Sequence, residues 1–288
     1  MKLLISNYSS DSSTEPLYLN ASLNKAGCES NLLQLNTSIY DGFDTNKPDV
    51  YIAHHEYLSR DLLVYLKDGG NKKVDLIINI SGMSQDNLSK LDSILSENNI
   101  KPVFYFVNQY DTKLHSRNNI VSLLHGADLF LTSEPKQYSI DYAVFIDNKS
   151  QIRHTEGSYH YITYNKGIDQ VADLYFPIHR LSHLYQNYNK IIFRYFDGIF
   201  TQAFFDSAIR TKYVYFDVNN DELLRKHLTK LLGKEGLCDL SNEDSGNITE
   251  IIMNKHTCLN RTKSLLSQLP AKDYVDNLQK LIENRGKI

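Results

Sequence analysis

Short apolar runs alternate with amphipathic stretches through the first half of the chain. Lys2 to Ser6, Glu29 to Leu35, Asp49 to Ala53, Asp75 to Ile80 and Val103 to Val107 read as strands. The run ending at Ile80 is apolar without alternation, which suits a strand covered on both faces of a parallel sheet. Between these runs, Glu15 to Lys25, Ser59 to Lys67 and Asp86 to Asn98 carry apolar residues at helical spacing. Thr14 is a suitable N-cap for the first helix, and Pro16 fits its opening turn. Val121 to Leu124, Asp128 to Thr132 and Tyr142 to Ile146 read as the last strands of an amino-terminal sheet. The polar, aperiodic segment 147–158 is then a surface loop. Repeated strand–helix alternation predicts doubly wound α/β architecture.

The second half is organised around Lys190 to Asp217. Ile191 to Phe193 is an apolar strand, and Asp197-Gly198 is a turn dipeptide that ends it. Phe204, Phe205, Ala208 and Ile209 fall at helical spacing within Gln202 to Arg210, and Tyr213 to Asp217 is again a strand. This is a βαβ unit with the right-handed crossover of a parallel sheet. Helices are expected at Arg180 to Asn187, Asp221 to Leu232, Asn247 to Gln268 and Ala271 to Asn284, the last two separated by Pro270. The whole reads as two Rossmann-like domains facing across a cleft: an acceptor-side domain over 1–155, a nucleotide-binding domain over 156–270, and a terminal helix over 271–288 that packs back on the first.

A chain of 288 residues is long enough to split into two cores, and a hydrophobic content of 41% can fill them. There is no apolar run of transmembrane length and no signal peptide, so a cytoplasmic location is expected, host cytoplasm if the source is viral. Cys28, Cys238 and Cys258 are too scattered for a disulfide framework or a zinc site. A formal net charge of −3 gives no overall attraction to nucleic acid.

Chemistry is expected where strands end, because open α/β sheets bind ligands at their carboxyl edge. His54, His55 and Glu56 follow directly on one strand, and Asp111 follows another. Asn7 and Ser9 lie after the first strand and face the same edge. In the βαβ unit, the backbone N–H groups of the helix opening at Thr201-Gln202, beyond the turn Asp197-Gly198, would face an anion, and Asp206 has the acceptor oxygens to hold a ribose diol. The same residues also fit a plain helix on a sheet with Asp206 solvated, and a surface turn with capping histidines. GxGxxG, P-loop and Gly-x-Ser-x-Gly patterns are absent, which disfavours a typical dinucleotide oxidoreductase, NTPase or α/β-hydrolase. No DxD motif or paired aspartates at metal spacing occur, so neither a metal nor a resident cofactor is expected.

The carboxyl half also resembles a known family. YFPI at Tyr175 to Ile178, Asp206 eleven residues before the strand-ending Asp217, and the helix start Val218-Asn-Asn-Asp-Glu-Leu223 are similar to the nucleotide-sugar-binding domain of GT-B glycosyltransferases, nearest to phage DNA β-glucosyltransferases. His256 to Arg261 resembles the terminal helix that crosses back to the first domain in such enzymes. The resemblance implies a Leloir transferase acting on a nucleotide sugar, with a hydroxymethylated base in phage DNA as the first acceptor to consider and a glycan or protein as the alternative. This sequence departs from the family pattern. Asp206 stands where glutamate is usual, Ala203 where an arginine is expected, and the glycine-rich strand-loop that carries arginines for the diphosphate is missing, leaving Arg194 as its substitute. Asn108, which cannot take a proton, stands where the base aspartate would be. A GT-B-shaped binding protein without catalysis is therefore the rival reading.

Overall fold

The computed structural model describes residues 1–7, 15–33, 37–68, 73–107, 120–123, 126–130, 142–145, 159–163, 174–175, 188, 190–194, 205–206, 209, 213–217 and 244–284. The chain divides into two compact units, 1–9 with 15–124 and 258–288, and 10–14 with 125–257.

The first unit is built on a six-stranded parallel sheet: β1 (Lys2–Ser6), β2 (Glu29–Leu33), β3 (Val50–His54), β4 (Asp75–Asn79), β5 (Val103–Val107) and β6 (Ile120–Leu123), in the order β2-β1-β3-β4-β5-β6. The helices are α1 (Glu15–Lys25), α2 (Ile39–Asn46), α3 (Arg60–Asp68) and α4 (Gln85–Glu97). The path from β1 to β2 runs one way across the sheet, and the path from β3 to β5 runs the other. Right-handed crossovers therefore put α1 on the opposite face from α2, α3 and α4.

The core confirms this division. Leu4, Tyr51, Ala53, Ile78, Phe104 and Phe106 form one buried cluster with Phe43 of α2, Leu62 of α3, and Leu88 and Leu95 of α4. The alternate positions, Leu3, Ile5, Ile52, Ile77 and Tyr105, are equally buried. On α1's face the cover is completed by α6 (Cys258–Leu266), which packs against α1, and by α7 (Lys272–Glu283), which packs against α6. The Met1 amino group donates to the Tyr274 hydroxyl at 2.6 Å, and Asn277 Nδ2 donates to the Ala26 carbonyl at 3.1 Å.

The second unit has a five-stranded parallel sheet: β7 (Tyr142–Phe145), β8 (Tyr159–Thr163), β9 (Leu174–Tyr175), β10 (Lys190–Arg194) and β11 (Tyr213–Asp217), in the order β11-β10-β7-β8-β9. Counted within the unit this is 3-2-1-4-5, the Rossmann order. The helix α5 (Asp244–Lys255) belongs to this unit. The α/β class and the pair of Rossmann-like parallel sheets are those expected from the sequence.

Several expectations are corrected. Tyr142–Phe145 was expected in the first sheet but pairs with β8 and β10 in the second. Its apolar pattern identifies a strand and carries no information about the partner. Asp128 to Thr132 was expected as a strand, but Asp128 Oδ1 accepts the Phe130 N–H at 2.9 Å while the Asp128 N–H is held by Asp206. Side chains thus take backbone groups that a ladder would need. The expected helix from Asn247 to Gln268 is broken at His256-Thr257, where the His256 carbonyl accepts the Ala127 N–H at 2.8 Å and Thr257 forms a bridge to Ala127. Helix α2 was not foreseen. The helices expected at 180–187 and 221–232 lie outside the described residues.

Among the described residues, no helix is long and apolar enough to cross a membrane.

Candidate functional site

In the first sheet the strand order reverses at β1, which has β2 on one side and β3 on the other. The crevice beyond the carboxyl ends of β1 and β3 is the topological switch point, where open α/β sheets take their ligands. Asn7 follows β1 directly. His54 ends β3, and the 3₁₀ turn His55–Tyr57 continues it. Alternation along the strands places Asn7 in phase with Leu3 and Ile5, on the face covered by α1. His54 shares the phase of Ile52, and it pairs in register with Asn79 at the end of β4. Three polar side chains thus close three adjacent strands on one face.

The two imidazoles lie 4.4 Å apart, centroid to centroid, with a tilt of 32°. His54 Nδ1 accepts the Glu56 N–H at a long 3.4 Å, and Glu56 Oε2 stands 3.7 Å from the same nitrogen. Only 16% of the His54 side chain is exposed, against 69% for Glu56. Burial holds the His54 pKa below its usual value and His55 pushes the same way, while Glu56 and the Ser81 backbone oppose them. The neutral imidazole is therefore favoured, the form that can take a proton. Tyr57 lies edge-on to His54 at 6.4 Å and is 45% exposed.

Behind the histidines, the buried Asn79 donates through Nδ2 to Glu15 Oε2 at 2.8 Å and accepts the Ser81 N–H at 2.9 Å. Ser81 Oγ accepts the Val107 N–H at 2.9 Å, and its carbonyl lies 3.1 Å from His55 Nε2. Asn7 Oδ1 is buried and has no hydrogen-bond partner among the described residues. A buried acceptor left open costs stability, and such an atom at a ligand edge is a natural contact for a bound donor group.

The structure thus brings Asn7, His54, His55 and Glu56 to one edge. Ser9, Asn108 and Asp111 lie outside the described residues. Sequence reasoning missed Glu15, Asn79, Ser81 and Tyr57. The signal for Asn79 was present, as a lone amide in an otherwise apolar strand, Leu76-Ile-Ile-Asn-Ile80.

In the second unit the switch point falls between β7 and β10. Arg194 closes β10 at its carboxyl end, in register with Asp217 of β11. Asp197, Gly198, Thr201 and Gln202 lie outside the described residues. Asp206 is helical but only 3% exposed, and its Oδ1 accepts the Asp128 N–H at 2.8 Å. In this conformation its carboxylate supports the chain at Asp128, which differs from the solvated helix residue that the sequence also allowed.

Among the described residues there is no group of three or more His, Cys, Asp or Glu side chains arranged to hold a metal ion. A groove of about 580 Å³ lies at the opposite, amino-terminal edge of the first sheet, lined in part by Lys67, Lys73, Glu97 and Lys101. Its lysines are ordinary surface charges beside helix ends, and the switch point lies at the other edge.

No family model matches the sequence, and no curated protein matches it. Among solved structures, that of CalG4, the calicheamicin glycosyltransferase, aligns over 99% of this chain and 97% of its own with 9% identity and a TM-score of 0.36. That score is too low to bear on fold or function.

Proposed function

We propose that the chain is a glycosyltransferase that uses a nucleotide sugar, with the acceptor and base at the carboxyl edge of the first sheet and the donor at that of the second. The observation that carries this reading is the cluster of Asn7, His54 and His55 at the first switch point, supported by Arg194 beside the second. The sequence resemblance to GT-B transferases supplies the donor class.

In the reaction, the acceptor oxygen bonds to the anomeric carbon as the bond from that carbon to the diphosphate oxygen breaks. The acceptor proton passes to a base, and the leaving group departs as a nucleoside diphosphate. His55 fits the base. Its Nε2 faces a carbonyl, which keeps the proton on that nitrogen and leaves a lone pair on Nδ1. His54 beside it stays neutral and does not repel the proton that arrives. Glu56 is too exposed for its charge to be strongly felt and serves the pair by proximity to His54. Asp111 is the alternative base from the sequence. Arg194, with Asp197-Gly198 and the N–H groups at Thr201 and Gln202, would meet the departing charge, so the proposal is metal-independent. The net charge of −3 disfavours a duplex acceptor, for which many cationic contacts are needed. A modified base in phage DNA remains the first acceptor to test, with a glycan or protein next.

The buried carboxylate of Asp206, with Oδ1 already accepting the Asp128 N–H, favours a second reading, a binding protein without catalysis, because it leaves a ribose diol fewer open acceptor positions. Calorimetric titration with uridine and guanosine diphosphates and their sugars separates the two. The transferase reading expects saturable binding that Arg194→Ala weakens at least tenfold. Absence of binding by every nucleotide favours the second reading. Salt-dependent retention on hydroxymethylated DNA then tests the acceptor.

A further inference from the structure

The bonds behind the histidines define a backbone device. Met83 N–H donates to the Ile80 carbonyl at 3.0 Å, closing a four-residue turn with Ser81 and Gly82 at its centre. Gly82 has φ of +80°, and Ser81 is not among the residues with positive φ. This is the type II pattern. Types I and II differ mainly in ψ of the second residue and φ of the third, so they interconvert by turning over the central peptide. That peptide carries the Ser81 carbonyl, the group 3.1 Å from His55 Nε2.

The geometry points to Asn79, Ser81 and Gly82 as positioning residues that decide which nitrogen of His55 holds its proton. A type II turn presents the Ser81 carbonyl to Nε2, and a carbonyl can only accept, so the neutral ring carries its hydrogen there. Asn79 braces the turn from below. Its Nδ2 must donate to the Glu15 carboxylate, so its Oδ1 is the atom that receives the Ser81 N–H, and the amide has one orientation. Ser81 Oγ ties the same turn to the end of β5 through the Val107 N–H. Glycine is needed at 82 for its φ, since a Cβ there would meet nothing within 4 Å. A side chain that refuses positive φ drives the turn toward type I and carries the carbonyl away from the ring.

This inference rests on the proposed role of His55 as base, but its test does not depend on turnover. Nitrogen-15 correlation spectra of the imidazoles, with His55 assigned by its loss in His55→Gln, report the tautomer directly. The wild-type protein should show His55 protonated at Nε2 and bare at Nδ1. Gly82→Val should replace that pattern with the mixed signals of a free imidazole, with the far-ultraviolet circular dichroism unchanged. Gly82→Asn, which tolerates positive φ, should restore it in large part. Asn79→Ala should move the signal in the same direction as Gly82→Val. Should Gly82→Val fail to fold, the wild-type spectrum and Gly82→Asn still decide. A wild-type ring protonated at Nδ1, or a Gly82→Val spectrum identical to wild type, overturns the inference. The predicted tautomers without any sugar transfer leave the positioning role standing and remove the catalytic reading.

Discussion

His54 shows how one side chain links burial to chemistry. Its ring is largely covered, stacks near a second imidazole and has its pKa held below the ordinary 6.5, mainly by loss of water. The consequence for stability has a definite sign. As pH falls below 6.5 the unfolded chain takes up the proton before the folded one does, so stability present above that pH is lost as pH falls through the lower folded value. His54→Asn should therefore flatten the decline of Tm below pH 6.5, measured by calorimetry across a pH series, and leave the curve above that pH little changed. An equal acid slope in variant and wild type would show that His54 takes up its proton at the ordinary value. At the same scale, His54 and His55 were legible in the sequence because charged and aromatic-polar residues directly after an apolar strand have no packing reason to be there. Asn79 and Glu15 were not, since their pairing spans 64 residues and no local pattern reports it.

Helix α2 shows what an element needs when its sequence is weak. Ile39–Asn46 has only eight residues, with Gly42 in its middle, and the run lacks the extended periodicity that marks α1 or α4. Tertiary contacts supply what local propensity does not. Ser38 caps the start, its Oγ accepting the Asp41 N–H at 3.1 Å, and Lys47 closes the end in a left-handed conformation with φ of 43°. Phe43 is fully buried and meets Tyr51 and Tyr65 edge-on at 5.1 and 4.9 Å. Gly42 lets the helix approach Leu33 of β2, where a Cβ would collide with the leucine methyl. Phe43→Ala should cost about 3–5 kcal/mol in urea unfolding. A cost below about 1 kcal/mol would mean that α2 is not anchored through this ring. The central strands of the first sheet, by contrast, were readable within a residue or two, because burial on both faces forces continuous apolar runs. Tyr142–Phe145 reads as a strand from its apolar run, yet no periodicity could say that its neighbours are β8 and β10.

At the scale of the whole molecule, each unit is a parallel sheet with a reversal of strand order, and each reversal has candidate residues from the sequence at or beside its carboxyl edge. In the first unit these are Asn7, His54 and His55; in the second, Arg194. The chain returns to the first unit for α6 and α7, and α6 buries Leu259, Leu265 and Leu266 on α1's face of the sheet. The most direct measurement is release of nucleoside diphosphate from a panel of nucleotide sugars in the presence of hydroxymethylated DNA, glycan and protein acceptors, wild type beside His55→Gln. The account predicts acceptor-dependent turnover of at least one donor, reduced about 10²–10⁴-fold in His55→Gln with its fold intact. Turnover that His55→Gln leaves at the wild-type rate, or no turnover with any donor and acceptor, would contradict it.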